Sequence, residues 1–100
     1  MARARLKLLA KAREDMIHLR RYSRREFGAA AADRLVDDIE HAFLLLREHP
    51  FAGSEFSETI SGIRLFPARG HRIFYRVVEG VIEIVRVVHH ARDVSKAIEE

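Results

Sequence analysis

The chain has 100 residues, no cysteine and a formal net charge of +3 at pH 7. This length suits one domain with a modest core, so we expect a single domain over residues 1–100. Without cysteine there is no disulfide, thiolate zinc site or thiol nucleophile. Because no apolar run approaches the roughly 20 residues of a membrane span, and the apolar part of the basic N-terminus is too short for a signal peptide, we expect a soluble cytoplasmic protein.

The first half of the chain predicts one short strand followed by two helices. Residues 3–9 alternate between polar and apolar toward their end, which indicates a strand. Residues 10–27 and 29–49 place apolar side chains three and four apart, as an amphipathic helix does. Gly28 suits a helix C-cap, and Pro50 ends the second helix because the residue before a proline leaves the α region. The two helices should form an antiparallel hairpin.

The second half predicts a loop and three antiparallel strands. The loop covers 51–61, and the strands cover about 62–68, 71–78 and 81–90. Two compact Arg-Gly and Glu-Gly turns join the strands, so both connections should be hairpins.

Both faces of the last strand are largely apolar. Strict alternation places Ile84, Arg86 and Val88 on one face, and Val85 and Val87 on the other. A helix hairpin covers only one face of a two-layer domain, so the second face needs a cover from elsewhere. The last eight residues are too few to cover a sheet. We therefore expect a partner to cover the second face.

The charge distribution leaves two interpretations open. Residues 62–92 hold six arginines and two glutamates, a local net charge of +4. Such an excess suits an anionic partner, such as an acidic protein or nucleic acid. It is equally what an ordinary solvated face carries, and it is well short of a dedicated nucleic-acid footprint.

Motifs for metal or nucleophilic chemistry are missing from the sequence. The six histidines show no helical metalloprotease spacing, and the adjacent His89 and His90 would point to opposite faces of a strand. The serines lack a nucleophile-elbow context, and no glycine-rich loop could cradle a phosphate. We expect no metal and no cofactor.

The order of several segments carries a resemblance to a known family. The strongest segments are Gly-Ile-Arg at 62–64, His-Arg-Ile-Phe-Tyr-Arg-Val at 71–77, Ile-Glu-Ile-Val-Arg-Val-Val-His at 82–89 and Ala-Arg-Asp at 91–93. The first helix and the Glu-His-Pro that ends the second helix add to it. Over nearly its whole length the chain resembles the RelE/ParE superfamily, the toxins of bacterial toxin–antitoxin pairs, and within it the ParE branch.

The resemblance implies an α+β, two-layer β-α-α-β-β-β fold with the helix hairpin packed on a mainly antiparallel sheet. It also implies a non-enzymatic inhibitor of DNA gyrase, neutralised by a ParD-like antitoxin through which the complex reaches operator DNA. The residues expected to contact the antitoxin are Leu45, Arg64, Arg72, Arg76 and Arg86. The residues expected to contact the target are Arg92, Val94, Lys96 and Ile98.

The alternative is a ribosome-dependent mRNA endonuclease, as in the RelE branch. RNA cleavage needs groups that activate a 2′-OH, stabilise the phosphorane and protonate the leaving oxygen. The candidates are Glu55, Arg72, His89 and His90. Against them, residues 51–61 lack lysine and the end of the chain carries no tyrosine. A third possibility is a plain interaction module or an inactive toxin.

Overall fold

The computed structural model describes residues 4–56 and 62–91. The elements in chain order are β1 (Arg5–Leu8), α1 (Ala10–Phe27), α2 (Ala29–Glu48), β2 (Ser54–Glu55), β3 (Arg64–Ala68), β4 (His71–Val78) and β5 (Val81–His89). The expected α+β fold of two helices on a mainly antiparallel sheet is confirmed, and the short β2 is an addition within the segment predicted as a loop. No helix among the described residues is long and apolar enough to cross a membrane.

A single glycine joins the two helices. Gly28 has a φ of 94°, in the left-handed region that favours glycine. Its N–H donates to the Arg24 carbonyl at 3.0 Å, and its own carbonyl accepts from the Ala32 N–H at 3.1 Å. Gly28 therefore ends α1 and begins α2, which produces the predicted hairpin.

The sheet has the strand order β1-β5-β4-β3-β2. β1 pairs with β5 in parallel, and the other neighbours are antiparallel. The turns after β3 and β4 each combine a positive-φ residue with a positive-φ glycine, Arg69-Gly70 and Glu79-Gly80. These are the φ signs of type I′ hairpins, so the predicted turn positions are correct.

A β-bulge in the β4–β5 ladder changes which side chains share a face. Tyr75 pairs with Ile84, but the preceding Phe74 pairs with Arg86, so Val85 is the extra residue. Beyond the bulge, Val87 joins Ile84 in the core under the helices. The strict alternation predicted along this strand is therefore wrong after Val85.

The main core lies between the helix hairpin and the sheet. α2 contributes side chains that are almost fully buried, and the sheet supplies the opposing layer. The large side chains buried beyond 98 % in this core are Ile39, Leu46, Ile73, Tyr75, Ile82 and Ile84.

The second face of the sheet is partly covered by the chain itself. Phe74 and Val88 are buried there together with Ile63, and the ring of Phe56 meets that of Phe74 edge-on at 4.8 Å. The expectation that this whole face awaits a partner is thus wrong around Phe74. Toward the other end of β4, Val78 remains 41 % exposed, so the expectation stands as a prediction for that end.

Candidate functional site

A groove runs between the helix hairpin and the ends of β4 and β5. Its volume is about 830 Å³. The side chains that line it are Asp15, His18, Leu19, Tyr22, Ser23, Phe27, Ala31, Leu35, Arg69, His71, Val87, Val88 and His89. One part is apolar and includes the exposed rings of Tyr22 and Phe27, whereas the other part is lined by imidazole and guanidinium groups. Exposed aromatic side chains beside a concave apolar surface are typical of a protein-binding site.

The wall of this groove is held by a buried ion pair between α1 and β5. Arg86 donates to both carboxylate oxygens of Asp15, at 2.8 and 2.9 Å, and both side chains are about 90 % buried. The same carboxylate accepts the Val87 backbone N–H at 2.9 Å. β1 ends at Leu8, opposite Ile84, so Asp15 satisfies an N–H of β5 beyond the reach of β1.

The sequence-based role of Arg86 needs correction. Its guanidinium was expected at the antitoxin surface, but it is buried and bound to Asp15. A buried arginine with a bidentate carboxylate partner stabilises the packing of α1 on the sheet. Arg86 is therefore not an exposed antitoxin contact in this structure.

The other four residues predicted to meet an antitoxin lie at or near the surface. Leu45 on α2 is 41 % exposed. Arg64 donates to the Gly53 carbonyl at 2.9 Å and lies over the Phe51 ring, 4.9 Å from its centroid.

The two remaining arginines lie on β4. Arg76 is exposed and forms an ion pair of 2.6 Å with Glu83 on β5. Arg72 is half-buried and pairs across the ladder with Val88. Both belong to the face of the sheet that the helices do not cover.

The segment after α2 is fixed to the sheet by one hydroxyl. Tyr75 Oη donates to the Pro50 carbonyl at 2.8 Å and accepts the Gly53 N–H at 2.9 Å. A Cβ at Gly53 would lie 2.7 Å from this ring, so the site requires glycine. Burial raises the pKa of Tyr75 above its ordinary 10.0, against the lowering effect of the Gly53 N–H. These contacts position β2 and therefore Glu55.

The four residues of the nuclease alternative do not converge. Glu55 pairs with Arg64, which pairs with Tyr75, whereas His89 pairs with His71. Strand spacings of about 4.8 Å and residue rises of about 3.4 Å then separate the backbones of Glu55 and His89 by about 20 Å. Arg72 directly follows His71 on β4, so its side chain faces the opposite side of the sheet from His71 and from His89, the residue that pairs with His71.

Three imidazoles meet where β4 begins and β5 ends. The ring centroids of His71 and His89 are 5.4 Å apart, and those of His89 and His90 are 4.3 Å apart. The expectation that His89 and His90 point to opposite faces is therefore wrong, because His90 has left the ladder and binds the turn before β4 through Gly70. Burial lowers the pKa of His71 below 6.5, and the positive charges of His89 and His90 act in the same direction, whereas the Arg69 carbonyl opposes them.

Among the described residues, no group of three or more His, Asp or Glu is arranged to hold a metal ion.

The residues that the sequence predicts to contact the target lie outside the described residues. They are Arg92, Val94, Lys96 and Ile98.

Sequence reasoning did not assign Asp15, Arg69 or His71 to any site. Asp15 carried one signal, because it lies in the first helix, which contributes to the family resemblance. His71 carried a similar signal as the first residue of the resembling segment 71–77, but its meeting with His89 could not be predicted, because it depends on the bulge at Val85.

Comparisons with known proteins identify relatives of this chain. A family model described as "ParE toxin of type II toxin-antitoxin system, parDE" matches residues 6–94. Toxin ParE1 of Mycobacterium tuberculosis, in strains CDC 1551 / Oshkosh and ATCC 25618 / H37Rv, is 34 % identical over 71 residues, which is 70 % of this chain and 72 % of the relative.

Solved structures share the fold. The chromosomal ParDE toxin–antitoxin system from P. aeruginosa contains a chain that matches with a TM-score of 0.75 at 22 % identity, covering 86 % of this chain and 95 % of that one. The toxin–antitoxin complex RelBE2 from Mycobacterium tuberculosis gives 0.70 at 17 % identity, covering 88 % and 99 %. A double arginine mutant of E. coli RelE in the free state gives 0.66 at 14 %, covering 99 % and 94 %.

The family match extends from β1 beyond the end of β5, so it includes both helices, the groove and the arginine-bearing strands. The relative from M. tuberculosis supports the same assignment by sequence identity. This chain belongs to the ParE family of toxins of type II toxin–antitoxin systems.

Proposed function

We propose that this toxin acts without catalysis, as an inhibitor of DNA gyrase, and that a ParD-like antitoxin neutralises it. The observation that carries the proposal is the dispersal of the groups that RNA cleavage would need. A general base and a general acid must both reach one scissile phosphate, within hydrogen-bond distance of its oxygens. With about 20 Å between the backbones of Glu55 and His89, their side chains cannot do so.

Inhibition without catalysis requires surface shape and charge rather than a set of reacting groups. The exposed part of this toxin offers both. Its apolar groove carries exposed aromatic rings, and the uncovered end of β4 carries Arg76. Such a surface can hold a large partner in one state and thereby stop its reaction cycle.

The antitoxin surface that we propose extends over the uncovered end of β4 and onto α2. Arg76 is exposed, whereas the Glu83 side chain that it pairs with is only 15 % exposed. The guanidinium can therefore keep Glu83 and still donate from its exposed side to a carboxylate of the antitoxin. Arg64 and Arg72 would supply further cations, and Leu45 an apolar anchor. Arg86 is left out, because it is bound to Asp15.

A disordered acidic-apolar antitoxin segment suits this surface. Coupled folding and binding lets one segment cover separated patches, at the cost of ordering it. In the arrangement that we propose, the antitoxin also carries the part that binds operator DNA. The gyrase contact that we propose uses Arg92, Val94, Lys96 and Ile98.

Two assays test the proposal. Purified toxin added to gyrase and relaxed plasmid should block supercoiling, and the protein encoded beside the toxin gene should restore it. Toxin added to a translating extract should leave mRNA ends unchanged. Cleavage of mRNA that is abolished by Arg72→Ala or His89→Ala would instead assign the endonuclease activity, and unimpaired supercoiling would reject gyrase as the target.

A further inference from the structure

One end of the groove combines three histidines with an arginine. His71 and His89 line it together with Arg69, and the ring of His90, outside the lining, contacts that of His89 with 4.3 Å between centroids and a tilt of 38°. The β4–β5 hairpin builds this cluster, because the bulge at Val85 places His71 directly opposite His89. The four side chains form what we call the imidazole end of the groove.

Hydrogen bonds assign the protons of two of these rings. His71 Nδ1 lies 3.0 Å from the Arg69 carbonyl, and His90 Nδ1 lies 2.8 Å from the Gly70 carbonyl. A carbonyl oxygen only accepts, so both Nδ1 atoms carry hydrogen. Each ring therefore gains its second proton at Nε2, where it becomes a new donor while the Nδ1 bond is kept. His89 differs, because its Nδ1 accepts the Ala91 N–H at 3.2 Å and its neutral ring donates from Nε2.

Among the residues that the structure describes, no carboxylate is paired with the three imidazoles of this end. On α1, Asp15 is the one acidic residue that lines the groove among the described residues, and it is bound by Arg86 of β5. His18, also on α1, is a further imidazole of the lining.

The remaining neighbours come from α2 and the β3–β4 turn. Asp38 on α2 pairs with Arg69 at 2.9 Å, but both side chains are about half exposed, so this pair is easily exchanged. Within the described part of the chain, this end therefore combines a guanidinium in an exchangeable pair with three imidazoles that no carboxylate binds.

We propose that the imidazole end binds carboxylate side chains of an acidic stretch of the antitoxin. This inference rests on the proposed neutralisation by an antitoxin and adds where an acidic stretch of it binds. A carboxylate accepts hydrogen bonds from Nε2 of His71 once that ring is protonated, from Nε2 of His89, and from the guanidinium of Arg69. The adjoining apolar part of the groove, with Tyr22 and Phe27, receives the apolar residues of the same segment.

The proposal fixes the sign of a pH effect on binding. Burial holds the pKa of His71 in the free toxin below 6.5. A bound carboxylate favours the charged imidazole and raises that pKa, so the complex takes up a proton. Affinity then increases as the pH falls, by at most about tenfold per pH unit for each proton taken up. An apolar cover would desolvate the ring further, and acid would then weaken the complex.

The test measures dissociation of the protein encoded beside the toxin gene from immobilised toxin at pH 7.5 and pH 6.0. Dissociation from the wild type should be about three- to tenfold slower at pH 6.0. His71→Asn should lose most of this difference, and an NMR spectrum of the variant checks that it is folded. His41→Asn, at an exposed position on α2, is the matched control and should keep it.

A second experiment uses octaglutamate in place of the antitoxin. In an NMR titration of the toxin, it should raise the pKa of His71, whereas octaserine should not. Faster dissociation at pH 6.0, or an unchanged pH effect in folded His71→Asn, would overturn the carboxylate site. If the neighbouring protein fails to bind at either pH, the proposed neutralisation fails, and the octaglutamate experiment alone then decides on the site.

Discussion

Asp15 and Arg86 lie 71 positions apart in the sequence and form a bidentate pair with distances of 2.8 and 2.9 Å. The pair closes the edge of β5 beyond the end of β1, since Asp15 also binds the Val87 N–H. It joins the first helix to the last strand and forms part of the groove wall. One carboxylate thus satisfies a buried guanidinium and a strand N–H at once.

Removing this carboxylate charge should destabilise the toxin. In Asp15→Asn the amide can still accept the Val87 N–H, but the buried charge of Arg86 loses the carboxylate that binds it bidentately. Breaking a buried pair in this way costs about 3–5 kcal/mol of unfolding free energy, which urea denaturation measures. Asp33→Asn is the control, because its pair with Arg20 is exposed, and it should change stability by less than about 0.5 kcal/mol. Equal effects of the two variants would contradict the role of Asp15.

The Tyr75 hydroxyl should stabilise the segment that leads to β2. Tyr75→Phe leaves the Gly53 N–H and the Pro50 carbonyl without their partner, which should cost about 1–3 kcal/mol. Thermal or urea unfolding measures the loss. Tyr22→Phe provides the comparison, since that ring is exposed and the change should be nearly neutral. A neutral Tyr75→Phe would mean that the loop is held by other contacts.

The same hydroxyl predicts a loss of stability in alkali. Burial raises the pKa of Tyr75 in the folded state above the ordinary 10.0 of the unfolded chain. Its contribution is therefore complete below about pH 10 and is lost as the pH rises toward the folded-state pKa. Unfolding free energies measured between pH 8.5 and 11 should fall more steeply for the wild type than for Tyr75→Phe. Parallel curves would contradict this account.

The lowered pKa of His71 predicts a loss of stability in acid. Its folded-state pKa is lowered, so its contribution is present above the unfolded value of 6.5 and is lost as the pH falls through the folded value. Free toxin should lose stability between pH 7.5 and 5, and His71→Asn should lose less over the same range. His41→Asn should follow the wild type, and a curve for His71→Asn that matches both would show that His71 does not cause the loss.

Charge reversal at the uncovered end of β4 should weaken the antitoxin complex. Arg76→Glu replaces a proposed contact with a repulsive charge, and affinity for the protein encoded beside the toxin gene should fall at least tenfold, or about 1.4 kcal/mol. Urea unfolding of the free toxin measures the accompanying loss of stability, because Glu83, only 15 % exposed, loses its cation. Arg13→Glu, at an exposed position on α1, is the matched control. Equal affinities of both variants would remove Arg76 from the interface.

Much of the fold could be predicted because its signals are local. Gly28 ends one helix and begins the next, and the two glycine turns set the hairpins where the sequence places them. The bulge at Val85 has no such signal. Continued without it, the register would pair His71 with Val88 rather than His89, and the imidazole cluster would not form. The burial of Arg86 could not be predicted from the sequence either. It depends on the ion pair with Asp15, which comes close only after α1 has packed on the sheet.

The most direct measurement of the central claim is the fate of plasmid DNA in the presence of gyrase and the purified toxin. Reactions are stopped with detergent and protease and the DNA is separated on a gel. Toxin should increase linear, gyrase-cleaved plasmid in proportion to its concentration, and prior mixing with the antitoxin should abolish the increase. Unaltered supercoiling with no cleaved plasmid, at toxin concentrations that stop cell growth, would contradict the account.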